Sequence, residues 1–464
     1  MLFPTFDYFL FLPVVAALHW LLRSNGARTW WLTVVSLVFY TAWNPADTLL
    51  LLAVIGVTFT AGLLIGEGRV PRKPALVLTI VLLLAPMMFY KYLPFVTENI
   101  AALVPGFPVR PRQHLPIGIS FYSFQAIAYV VDVYRGMKPE RHPGQFACFL
   151  LFFPHLVAGP ILRAGTLVAQ IRDGRSLSRD DVGIGVSRLI TGLVKKMLIA
   201  DVLRIGVVDS VFTDPDRFTG PEVLVALYAY SLQIYADFSG YTDFAIGSAR
   251  LLGFRIPENF DRPYQALSVA NYWRRWHITL SDWVRDYVYY PLGGSRGEGL
   301  RPYLNTYTTL LILGVWHGAN WTFVLYGVIH GTAVSINRWW KKSGPGRDLP
   351  EPRGFGVAWR WFLTFQFVVL ARILFRAHDL GEAWRVTVAL FRWADSIPRW
   401  SVHAWVVLAL GFAAHFTPAG WTLAFRSGFA RLPLPVQGLI LALVGWLCVR
   451  FGPGDTLAFI YHDF

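Results

Sequence analysis

Charge is scarce in this 464-residue chain: Asp, Glu, Lys and Arg together make up 15% of it, against about 25% in an ordinary soluble domain. Cysteine is almost missing. Cys148 and Cys448 lie far apart in apolar stretches, which excludes a disulfide scaffold and leaves the two thiols as packing residues. HExxH, GxSxG and Walker A sequences are all lacking, and no GxGxxG stands at a strand–helix turn, so no signature of a soluble enzyme is present. No close His/Cys cluster offers metal-ligand spacing either, and no metal is expected. The first 22 residues lack the basic leader and small-residue cleavage site of a signal peptide and carry Asp7. They are expected to form an uncleaved first span.

Apolar side chains are abundant instead, at 55% of the chain, and they recur in stretches of roughly 15–25 residues from end to end. A soluble core cannot hide so many, so the composition indicates a polytopic membrane protein. The 42 Lys and Arg exceed the 28 Asp and Glu by 14. In a membrane protein that excess belongs to short cytoplasmic loops, and no nucleic-acid partner is expected.

Candidate spans run over 8–22, 29–43, 48–65, 75–95, 115–134, 145–162, 187–210, 222–252, 305–338, 357–376, 402–424 and 434–451. Each must be helical, because lipid offers backbone amides no other partner. The expected fold is an all-α membrane bundle over 1–464, a single domain with about 11–12 membrane elements, some of them broken or re-entrant. Basic residues favour alternate early loops: Arg23 and Arg28, then Arg69, Arg72 and Lys73, then Arg135, Lys138 and Arg141. That pattern places the first, third and fifth loops in the cytoplasm and the N-terminus in the periplasm.

The segment 252–301 is too polar to span and too aromatic for a plain loop. Trp273, Trp276, Trp283, Tyr287 and Tyr290 alternate with Arg274, Arg275, Arg285 and Asp286. Such a mixture suits an interfacial or re-entrant segment at headgroup level.

Ionisable groups inside apolar stretches are costly and mark three sites. His317 and His330 share the stretch 305–338, each followed by glycine. On one straight helix, thirteen residues would separate them by about 20 Å and about 220°. They would then not face one small substrate together, unless the helix breaks near Gly318–Asn320. His277 sits among the cationic neighbours Arg274, Arg275 and Arg285, which favour its neutral, basic form. Asp237 and Asp243, six residues apart, differ by about 240° around a helix and cannot form a carboxylate dyad. Each is expected to pair with an Arg or a hydroxyl elsewhere, or to line a polar cavity. These facts alone leave a transporter and an intramembrane enzyme both open, and a lone histidine in a span is more often a packing residue.

Several ordered blocks go further. They are FLFLPVV near the start, LPIGISFYSFQAIAYVVDVYRG at 115–136, FPHLVAGPILR at 153–163 and GLVKKMLIAD at 192–201. They continue with YSLQIYADFSGYTDFAIGSARLLGF at 230–254, PENFDRPY at 257–264, YWRRWHITLSDWVRDYVYYPLGGSR at 272–296 and GVWHGANWTFVLYGVIHG at 314–331, with FIYHDF at the end. The chain thereby resembles the membrane-bound O-acyltransferase (MBOAT) family, and within it the alginate O-acetyltransferase (AlgI-like) branch. The resemblance implies a helical body with a central tunnel or funnel, and acyl transfer from a cytoplasmic thioester donor to an acceptor on the other face. It places the family's invariant histidine at His330 and its second functional histidine at His277. His317, Asn320, Trp316, Asp286, Asp237 and Asp243 become supporting or tunnel-lining residues.

Acetyl-CoA is the donor implied by the family, with no resident cofactor, and Lys195, Lys196, Arg274 and Arg275 are candidates for its phosphates. A separate periplasmic acetyl-transfer protein of SGNH type is the implied partner and a polysaccharide the final acceptor, at the bacterial inner membrane. Peptidoglycan acetylation, teichoic acid D-alanylation, and a non-catalytic transporter or scaffold are the rival readings. An imidazole titrating near 6.5 is mostly neutral at cytoplasmic or periplasmic pH and suits a general base.

Overall fold

The computed structural model describes residues 3, 5–345, 347, 353–393, 400–453 and 459; Ile460–Phe464, the rest of the FIYHDF block, lie outside the described residues. Every regular element among the described residues is a helix, and the one β-contact is an isolated antiparallel bridge between Phe260 and Trp276. The chain falls into two compact units, described in turn.

The first unit comprises 1–189, 241–257 and 426–437. Its helices start where the sequence supplies caps. The Ser24 hydroxyl accepts the Ala27 N–H ahead of Asn25–Thr41, and the Asn44 side chain accepts the Ala46 N–H ahead of Pro45–Gly66. Pro86 interrupts Arg72–Met87, and a π-turn at Met88–Tyr92 carries the chain on through Leu93–Leu103. Val77, Leu78, Val81 and Leu82 stand exposed on this long helix, as expected of a lipid-facing surface.

The helix Ile119–Tyr134 is instead buried along nearly its whole length. There Gln125 Nε2 donates to His155 Nδ1 at 3.1 Å, while His155 Nε2 donates to the Phe149 carbonyl. Both ring nitrogens of His155 are thus used structurally. Tyr8 and Ser248 share a hydrogen bond of 2.5 Å, and Asp243 is buried in an ion pair with Arg188 at 2.5 Å.

The second unit comprises 190–240, 258–425 and 438–464. The 305–338 stretch takes the second of the two forms left open above and breaks near Gly318–Asn320: Arg301–His317 ends at Gly318, and Trp321–Lys342 restarts under an Asn320 cap that accepts the Thr322 N–H. The two helices fold back on each other as a hairpin. A Cβ added to Gly314 would lie 2.7 Å from Gly327 Cα, so only glycine admits this backbone approach. The separation computed for a straight helix therefore does not apply, and the break is what brings His317 back toward His330.

Among the described residues, four helices are long and apolar enough to cross a bilayer: Pro45–Gly66, Arg72–Leu103, Phe355–Arg376 and Leu434–Phe451. A fifth crossing arises if Val402–His415 and Ala419–Ala430, bent by 94° at their junction, act as one. Most of the other segments read as spans are helical too, but shorter, broken or more polar. Both cysteines are buried and unbridged.

Candidate active site

The polar segment 252–301 folds into short helices wedged among aromatic rings. Its central feature is a left-handed turn at His277, with φ +44°. A non-glycine residue holds that conformation at a cost of about 1–3 kcal/mol, and only where its surroundings enforce it. Asn259 does so from the adjoining strand-like run: its carbonyl accepts the Ile278 N–H, and its side chain accepts the Thr279 hydroxyl at 2.6 Å. The Phe260–Trp276 bridge pins the other side.

The turn drives the His277 ring inward, where it is fully buried against Phe238 at 4.7 Å and Trp316 at 6.1 Å between ring centroids. Burial in this non-spanning segment, followed by the field of His317, holds the His277 imidazole well below its ordinary pKa. The neutral form expected from the sequence is favoured, but the cause is desolvation and His317 rather than the flanking arginines.

His330 lies one helical hairpin away, 1% exposed. Tyr326 covers one side of its ring at 4.3 Å, with Trp273 at 5.2 Å and Phe367 at 5.1 Å. Trp273 Nε1 donates to His330 Nδ1 at 3.2 Å. An indole is a donor only, so Nδ1 carries the lone pair of the neutral ring and Nε2 carries the proton. His330 Nε2 has no hydrogen-bond partner among the described residues. His317, also buried, donates from Nδ1 to the Leu313 carbonyl at 2.7 Å, which leaves its lone pair on Nε2. The Tyr326 ring touches both His317 and His330, and Trp316 touches both His317 and His277. Three imidazoles thus share one aromatic cluster.

This geometry has a consequence for proton transfer. A hydroxyl can reach the His330 lone pair only by displacing the Trp273 N–H from Nδ1. One neutral hydrogen bond is worth about 0.5–1.5 kcal/mol, so Trp273→Phe is expected to change turnover by no more than about tenfold in either direction. A loss in this variant as deep as that of His330→Ala would instead make the indole bond essential for orienting the ring.

The remaining sequence candidates disperse. Trp316 is buried in the cluster. Asn320 is a helix cap whose Nδ2 also donates to the His378 carbonyl at 2.6 Å. Asp286 belongs to a half-exposed ion-pair group with Arg285 and Asp282. Arg274 is exposed, and Arg275 bonds Asn271 and the Asp261 carbonyl. Lys195 lies over the Tyr235 ring at 5.5 Å, whereas Lys196 is buried between Asp201 at 2.9 Å and Asp237 at 2.8 Å. Among the described residues, no three His, Cys, Asp or Glu side chains are placed to hold a metal ion.

Arg372 belongs to the cluster although the sequence reading passed it over. It stands inside the apolar helix Phe355–Arg376, and an ionisable residue in such a helix was the available signal.

The model of the membrane-bound O-acyltransferase family matches residues 142–375, a range that holds all three clustered histidines and Arg372. The probable alginate O-acetylase AlgI of Azotobacter vinelandii is 41% identical over 396 residues, covering 83% of this chain and 77% of that protein. The chain belongs to the membrane-bound O-acyltransferase family. The peptidoglycan O-acetyltransferase of Helicobacter pylori is 32% identical over 411 residues, covering 82% of this chain and 77% of that protein. The teichoic acid D-alanyltransferase of Streptococcus thermophilus is 28% identical over 303 residues, or 58% and 69% of the two chains. As a membrane-bound O-acyltransferase, the protein is an all-helical, multi-pass membrane enzyme that transfers an acyl group in the modification of a cell-envelope polymer.

Proposed function

We propose that this enzyme takes acetyl from acetyl-CoA on the cytoplasmic side of the inner membrane and passes it to a periplasmic acetyl-transfer protein of SGNH type. That partner then acetylates an alginate-like exopolysaccharide. In this reading the N-terminus is periplasmic, in keeping with the alternation of basic early loops, and donor and acceptor meet in a central funnel at His330. The observation that carries the chemistry is a buried, neutral histidine in an aromatic shell, its basic lone pair on Nδ1 held only by the neutral Trp273 indole N–H. Both relatives described above with more than 30% identity are named for O-acetyl transfer, which favours acetyl over D-alanyl.

His330 takes the proton from the acceptor hydroxyl as its oxygen attacks the thioester carbon. The C–O bond forms, the tetrahedral intermediate collapses with loss of the C–S bond, and the thiolate leaves with the proton that His330 carried. His277, held at the strained turn, orients the acceptor.

The test pairs biochemistry with genetics. Protein in nanodiscs, given labelled acetyl-CoA and the periplasmic protein encoded beside it, should release free CoA and label that protein. A deletion strain should lose O-acetyl groups from its exopolysaccharide. Normal acetylation together with loss of D-alanine from the envelope would replace the acetyl assignment with D-alanyl transfer. Transport without any release of CoA would remove bond chemistry altogether.

A further inference from the structure

Arg372 is the most unusual residue in the second unit. Its relative exposure is 0%, yet among the described residues no carboxylate pairs with it. The guanidinium lies over the Trp276 ring at 4.5 Å and beside Phe375 at 5.4 Å. Nη2 donates to the Tyr272 hydroxyl at 2.7 Å. The hydroxyl of Tyr264, which donates to the Ser231 carbonyl, also faces the guanidinium. Its other near neighbours, Tyr230 and Tyr326, are neutral as well. Among the described residues, Nε and Nη1 have no hydrogen-bond partner.

Burying a cation without a counterion is strongly unfavourable, and cation–π contact offsets only part of the loss. A guanidinium whose fork is half-used in a dry interior is therefore suited to an anion that arrives with the substrate. Its position says which anion. Tyr272, which accepts from Arg372, stacks on the His330 ring, with centroids 6.4 Å apart. Phe375, beside the guanidinium, touches Tyr326 and His317. The field of Arg372 reaches His330 itself. The charge thus lies within electrostatic reach of His330, one tyrosine away from the ring that handles the proton.

We propose that Arg372 binds the carbonyl oxygen of the acyl thioester through an Nη1 N–H and stabilises the oxyanion formed when the acceptor attacks. The proposal rests on the acyl-transfer reading above. Arg372 holds the oxygen while His330 takes the hydroxyl proton; the C–S bond then breaks, and the carbonyl re-forms as the thiolate departs. The neutral tyrosines around the cation leave its charge unspent until that step, since a resident carboxylate would have cancelled it.

Removing one donor from an oxyanion site costs about 10²–10³ in turnover. Arg372→Met, in nanodiscs with labelled acetyl-CoA, is expected to lose kcat in that range while KM for acetyl-CoA changes far less. Arg372→Lys should restore part of the loss, and added guanidinium ion part of it in Arg372→Ala. An Arg372→Met protein that folds and keeps kcat within a few-fold of wild type overturns the proposal.

A second measurement leaves Arg372 in place. His330→Ala, which should bind donor without turning it over, is loaded with acetyl-CoA labelled with ¹³C at the carbonyl. Its thioester stretch in isotope-edited infrared spectra should move to lower frequency than that of free donor. An unshifted band in the bound donor overturns the proposal even if every Arg372 variant fails to fold. Wild-type protein that binds acetyl-CoA but never releases CoA refutes the acyl-transfer reading itself, an outcome distinct from an active wild type with an indifferent Arg372.

Discussion

Replacing His330 by alanine is expected to abolish detectable acetyl transfer while leaving a folded membrane protein. A positioned general base contributes about 10²–10⁴-fold. His317 keeps a lone pair on Nε2 but sits on the other helix of the hairpin and meets the Tyr326 ring at 6.3 Å, against 4.3 Å for His330, and His277 lies beyond Trp316, against Phe238. The variant His330→Asn serves as a packing control. Its side-chain oxygen can accept the Trp273 N–H as Nδ1 does, so the aromatic shell keeps its hydrogen bond, but an amide cannot serve as a base. Both variants should elute and melt close to wild type and release no CoA. Retention of full activity by His330→Ala would remove the base from this position, whereas normal acetylation after loss of both His277 and His330 would leave only a docking role.

A transporter would be expected to lose transport when Asp237 or Asp243 is replaced. The structure changes what such an experiment would mean. Asp243 neutralises Arg188, and Asp237 neutralises Lys196, all four of them buried. Loss of Asp243 takes a buried carboxylate from Arg188, and loss of Asp237 leaves Lys196 with Asp201 alone, so a defect would come through packing and folding before it came through any pathway for an ion.

The helices were legible because hydropathy and capping are local. Ser24, Asn44 and Asn320 cap where a sequence reading places them, and the Gly318–Asn320 break was visible as an option in WHGAN. Hydropathy could not tell a helix facing lipid from one buried against protein. Ile119–Tyr134 and Arg72–Leu103 are similarly apolar, yet the first is nearly all interior and the second mostly exposed. For the same reason twelve apolar stretches outnumber the four or five helices able to cross a bilayer.

In the candidate site, the three histidines stood out as ionisable groups in apolar surroundings. Their convergence did not, because it depends on Gly314 meeting Gly327 and on the left-handed turn at His277, contacts that no linear spacing encodes. Arg372 lies 42 residues beyond His330 and joins the cluster only through the packing of Phe375 and Tyr272.

Lys196 provides the second large effect, one of stability rather than chemistry. As a neighbour of Lys195 it looked suited to donor phosphates. Its ammonium is instead buried between two buried carboxylates, Asp201 and Asp237, an arrangement with one positive and two negative charges. The close approach behind it is set by Gly240, where a Cβ would fall 3.1 Å from the Gly192 carbonyl oxygen, so the backbone carrying Asp237 comes near enough for Lys196 to reach. Lys196→Met would leave two like charges facing each other without a cation. Breaking a buried pair in this way costs about 3–5 kcal/mol, a large share of the roughly 5–15 kcal/mol that holds a typical domain together. The variant is expected to express poorly and melt far below wild type in detergent. Adding Asp201→Asn and Asp237→Asn to it removes the uncompensated charge and should recover most of the folded yield, with a KM for acetyl-CoA close to wild type. A Lys196→Met protein that melts normally and needs much more acetyl-CoA to reach half-maximal rate would return this lysine to the donor site.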